Sequence, residues 1–101
     1  MAQVETAISA RVEMLLDLVE SAWAELPEIA AEIDGWEYGA QIDFTENWSI
    51  QNVRLNQIET HISEGIVSPE QLDRYYQLLD LIERNTPILD AIMTGPPTVV
   101  S

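Results

Sequence analysis

The chain has 101 residues, no cysteine, and 18 acidic residues against four arginines and no lysine, for a net charge of −14. That length suffices for one hydrophobic core without a metal or a disulfide, and the lack of cysteine removes both a disulfide framework and a thiolate metal site. So acidic a surface repels phosphate backbones and anionic lipid, which argues against direct nucleic-acid binding and against membrane association.

The charge is uneven. Residues 1–48 carry eleven acids and one arginine, and residues 49–101 carry seven acids and three arginines. No apolar run approaches the ~20 residues of a membrane helix, and the opening MAQVETAIS has no basic segment ahead of an apolar one. A cytoplasmic location is expected.

In chain order, the first clean helical period runs from Val4 to Glu25. Ile8, Val12, Leu15, Leu16, Val19, Ala22, Trp23 and Leu26 fall within roughly 120° of one another, with Glu13, Asp17 and Glu20 on the far side. Met14 and Leu18 widen the stripe on one flank, which offers a second contact to a neighbouring helix or a partner subunit. Pro27 breaks the chain and opens a short new helix. Asp34-Gly35 signals a turn, with Asp34 a candidate cap and Glu37 in the capping-box position.

Residues 34–48 hold two tryptophans, a tyrosine and the only phenylalanine. A short helix is expected between Trp36 and Phe44, then a turn through Thr45, Glu46 and Asn47. Trp36, Tyr38, Phe44 and Trp48 form the candidate binding surface. The competing expectation, that Trp36, Phe44 and Trp48 seal one end of a bundle, follows from the way aromatics dominate cores.

Ser49 is placed to cap a helix reaching Glu64, which Gly65 ends in a left-handed conformation. The next helix, about 69–85, starts with Ser68 as cap, Pro69 in the first turn and Gln71 completing a capping box. Leu72, Tyr75, Tyr76, Leu78, Leu79, Leu81 and Ile82 spread over roughly 220° of it, about twice the stripe a surface helix needs. It is therefore expected to be central and touched from two sides. Residues 50–85 then form an antiparallel hairpin. Thr86-Pro87 either restarts a helix, with Thr86 as cap, or lies within a continuing one. The expected fold is all-α, a small bundle of four to five helices over residues 1–94, with a disordered tail at 95–101.

The residues that could carry chemistry are few. His61 sits on the edge of a helical stripe with Glu64 at i+3, and no nucleophile or second base is tied to it by spacing. Glu25-Leu-Pro-Glu28 and Glu70-Gln-Leu-Asp73 resemble the paired carboxylate motifs by which all-α nucleotide pyrophosphatases hold Mg²⁺, a resemblance that would make Glu25, Glu28, Glu70 and Asp73 metal ligands. Pro27 interrupts the first motif, and no lysine is present for phosphates. Arg74 and Arg84 follow Glu70 and Asp80 by four residues, so local surface pairs are expected.

In charge and helical pattern the chain also resembles small acidic helical bacterial proteins, among them antitoxins that neutralise basic toxins. That resemblance implies a basic protein partner. The expected function is a non-enzymatic, acidic protein–protein interaction module, antitoxin-like or regulatory, without cofactor and dimeric. Trp36, Tyr38, Phe44, Trp48, Met14 and Leu18 are its candidate contacts. The alternatives are a divalent-metal-dependent hydrolase using the four carboxylates and a structural subunit of a larger assembly.

Overall fold

Apolar residues at helical spacing, with no glycine or proline among them, build α1 over Ala2–Ala24. The computed structural model describes residues 2–94, with side chains from residue 7 onward. After α1 come α2 (Leu26–Glu32), a 3-10 turn (Ile33–Gly35), α3 (Tyr38–Asn47), α4 (Ser49–Ser63) and α5 (Pro69–Thr94). No strand occurs among the described residues, so the all-α expectation holds. The expected tail at 95–101 lies outside them.

These stretches fall into three helical rods, not the four to five packed helices expected. Glu25 separates α1 from α2 yet keeps right-handed helical angles, with φ −80° and ψ −13°. Its N–H donates to the Ser21 carbonyl at 3.1 Å, and its own carbonyl accepts from Ile29 at 3.0 Å. Trp48 joins α3 to α4 in the same way, at φ −59° and ψ −29°. The turn expected at Thr45–Asn47 is absent, because α3 runs through it. α5 is continuous past Pro87. Thr86 is therefore no cap; its hydroxyl donates to the Ile82 carbonyl at 2.6 Å, inside the helix. Ser49 is the first residue of α4 rather than its cap, and neither α3 nor α4 has a side-chain cap.

α1 is the middle rod. Val12, Leu15, Leu16, Val19 and Trp23 are buried along it, joined by Leu26, Trp48, Ile58 and Leu78. Both α4 and α5 pack on α1, and α2 extends the contact with α5, whereas α4 and α5 touch each other far less. This corrects the expected centre at 69–85; the two arms of the antiparallel hairpin expected over 50–85 pack on α1 more than on each other. α4 runs antiparallel to α1, with Trp48 at its start against Trp23 near the end of α1.

α5 runs parallel to α1, and two buried amides fix the register. Gln71 Nε2 donates to the Ser9 carbonyl at 3.1 Å, and Asn85 Nδ2 donates to the Trp23 carbonyl at 2.8 Å. Fourteen residues separate the two anchors on either helix (71 to 85, 9 to 23). The buried positions of α5 are Gln71, Leu78 and Asn85, one every seven residues. That is a single seam, so the wide apolar arc of α5 is covered from one side only. Leu72, Tyr75, Leu79, Leu81 and Ile82 stay half-buried, and Tyr76 is exposed.

Two local expectations hold. Gly65 adopts φ 73°, with the Gly65 N–H on the Ile62 carbonyl and the Ile66 N–H on the His61 carbonyl, the paired bonds of a Schellman ending. Ser68 and Gln71 form a reciprocal capping box, each backbone N–H donating to the other's side-chain oxygen at 3.1 Å. Gln71 thus caps its own helix and ties it to α1. The described helices include none long and apolar enough to cross a membrane.

Candidate partner-binding cleft

Four aromatic rings form a chain from the core to the surface. Trp23 and Trp48 meet edge to face at 5.2 Å between centroids, Phe44 lies 5.6 Å from Trp48, and Trp36 meets Phe44 edge to face at 6.1 Å. Helical geometry aligns the last three: Phe44 and Trp48 are one turn apart across the α3–α4 junction, and Gln41, one turn earlier, holds Trp36 in place. Gln41 is buried, and its Nε2 donates to the Trp36 carbonyl at 3.0 Å.

Beside this chain opens a cleft of about 490 Å³ where the end of α1 and the start of α2 meet α3 and α4. Trp36, Phe44 and Trp48 line it, with Ile29 and Ile50 adding apolar surface and Glu25, Asp43 and Asn47 adding polar groups. Gln51, one turn after Trp48, contributes as well. Trp48 is 7 % exposed, Trp36 and Phe44 are half-buried, and Glu25 and Asp43 are exposed. The walls are aromatic and the rim is anionic. Among the described residues, the buried Trp48 Nε1 and Gln51 Oε1 have no hydrogen-bond partner. A buried polar group left unpaired costs ~1–3 kcal/mol.

The expected contact residues divide. Trp36, Phe44 and Trp48 come together at the cleft, and Trp48 also belongs to the core, so sealing and lining are parts of one arrangement. Tyr38 is exposed at the start of α3 and does not line it. Met14 and Leu18 are exposed on α1 and do not line it either. Ile29, Asp43, Asn47 and Gln51 escaped the sequence reading. Gln51 had a signal, since three residues place it one helical turn from Trp48.

The four carboxylates of the hydrolase alternative are not brought together. Glu25 and Glu28 sit near the level of the Trp23–Asn85 bond, whereas Glu70 and Asp73 flank Gln71 at the level of Ser9. Fourteen residues, at about 1.5 Å each, separate the two levels, so about 20 Å lies between the pairs. No group of three or more His, Asp or Glu side chains among the described residues is arranged to hold a metal.

Arg74 does not pair with Glu70. It reaches across to α1, with Nη1 on Glu13 and Nη2 2.7 Å from Asp17 and 3.6 Å from Glu20. The hydrogen bond it donates to Asp17 and the charge of the nearby carboxylates raise the guanidinium above its ordinary pKa, against the opposing effect of burial. Arg84 Nε donates to the Asp80 backbone carbonyl at 3.4 Å instead of to its carboxylate. His61 is half-buried, makes no ion pair with Glu64, and leaves its buried Nδ1 without a partner among the described residues. No protein family, curated protein or solved structure matches the chain significantly.

Proposed function

We propose that the chain is a non-enzymatic interaction module whose cleft receives an arginine side chain from a basic protein partner. The observation that carries this reading is the pairing of aromatic walls with an anionic rim at one opening. A guanidinium stacks on tryptophan and phenylalanine faces, and its N–H donors match the exposed carboxylates of Glu25 and Asp43. The remaining acids act at longer range, steering a basic protein toward the cleft.

The test is a tryptophan-fluorescence titration with a short peptide alternating arginine and leucine, against a counterpart carrying glutamate for arginine. Saturable perturbation by the arginine peptide alone is expected, weakening as salt is raised. Asp43→Asn and Trp36→Ala should each lower the affinity about tenfold. Equal response to both peptides, or binding indifferent to Trp36→Ala, would remove the reading.

A further inference from the structure

α1 carries a second stripe that the fold leaves uncovered. Arg11, Met14, Leu18, Ser21-Ala22 and Glu25 recur at intervals of three and four residues, the spacing of a coiled-coil seam. Arg11, Met14, Leu18, Ser21 and Glu25 are exposed and Ala22 is half-buried; Leu18 is 39 % and Met14 48 % exposed. This is not the flank that meets α5, which is formed by Ser9, Glu13, Asp17 and Glu20. In a chain of net charge −14 the stripe holds a single acid, at its end. α4, which packs on α1, has no acid from Ser49 through Ile58 and carries Arg54. Neither Arg11 nor Glu25 makes an ion pair among the described residues.

We propose that a second copy of this chain covers the stripe, α1 against α1 and antiparallel, about a twofold axis at Leu18. The spacing dictates that arrangement. Leu18 lies seven residues from both Arg11 and Glu25, and four from both Met14 and Ala22. Two antiparallel helices crossing at Leu18 set Leu18 on Leu18 and Met14 of each copy on Ala22 of the other. Arg11 of each copy then stands beside Glu25 of the other, so one self-complementary patch is used twice. A parallel pair would instead oppose arginine with arginine and glutamate with glutamate. Repulsion between the two acidic bodies is screened beyond about 8 Å at physiological ionic strength, so contacts within the seam decide the outcome. This association goes beyond the cleft reading and stands on different residues, apart from Ala22 and Glu25, which border both.

Sedimentation equilibrium of the full chain tests it, with circular dichroism confirming that each variant keeps its helices; all three substituted positions are exposed. A monomer–dimer equilibrium is expected. Leu18→Glu should raise the dimer dissociation constant about a hundredfold, because two leucines leave the seam and two carboxylates meet on the axis. Arg11→Glu and Glu25→Arg should each raise it about tenfold, and the two together should restore it, because the ion pairs reform with exchanged signs. A monomer at every concentration would overturn the proposal, including the case in which a different protein's helix occupies the stripe. So would a dimer insensitive to Leu18→Glu, or a double variant no tighter than the single ones.

Discussion

Pro27 has no N–H, so the Trp23 carbonyl four residues earlier is left without its helical donor. That carbonyl sits against the core, where an unpaired oxygen costs ~1–3 kcal/mol. Asn85, itself buried, supplies the missing donor from another helix. A local break in one rod thereby becomes an anchor for a second. Asn85→Ala should destabilise the chain by ~1–3 kcal/mol, or roughly 4–8 °C in Tm for each kcal/mol in a chain this size. Pro27→Ala returns the N–H, so the same Asn85→Ala change should cost at least ~0.5 kcal/mol less in that background. Urea denaturation of the two single variants and the double variant measures the difference. Strictly additive costs would show that Asn85 acts by packing alone.

At the scale of elements, the weight of the core falls on α1. Leu16 is buried between neighbours, and Leu16→Ala should cost ~2–5 kcal/mol. Leu72 and Leu79 are half-buried on α5, and truncating either should cost about 1 kcal/mol. Chemical denaturation that ranked Leu72 or Leu79 above Leu16 would restore α5 to the centre. The sequence made α5 look central because its apolar arc is wide, but width measures what a helix could cover and not what covers it. α1 meets α5 partly through Ser9, Glu13, Asp17 and Glu20, a polar flank that a search for apolar stripes passes over. The Schellman ending at Gly65 and the Ser68–Gln71 box were legible, because each is decided within six residues of chain. The cleft was legible in its aromatics, Trp36, Phe44 and Trp48. Glu25 and Ile29 lie one helical turn apart on the α1–α2 rod, but Asp43 comes from α3, so only the packing brings it to the same opening.

At the scale of the whole molecule, shape and charge act together. The radius of gyration is 16.2 Å, against about 13 Å for a compact chain of this length, with extents of 60 × 23 × 18 Å. Long rods around a thin core leave the fold little reserve against added negative charge, and the chain already stands at −14. Tyr75 is where alkali adds it at a structural joint. Its hydroxyl donates to Glu59 at 2.7 Å, linking α5 to α4, which otherwise touch little. Burial first, then that hydrogen bond, then the Glu59 charge and Tyr76 push the phenol from 10.0 up to about 12. The folded chain therefore keeps a proton that the unfolded chain gives up between those values. Tyr75's contribution to stability is present in full below about pH 10 and is lost as pH rises toward 12. Tm should fall across that window, and Tyr75→Phe, which has no proton to lose, should flatten the fall while lowering Tm slightly at neutral pH. Added salt should soften the decline in both proteins by screening the general repulsion, leaving the difference between them as the share due to Tyr75. Parallel curves for the two proteins from pH 9 to 12 would mean that the Tyr75–Glu59 contact does not hold the rods together.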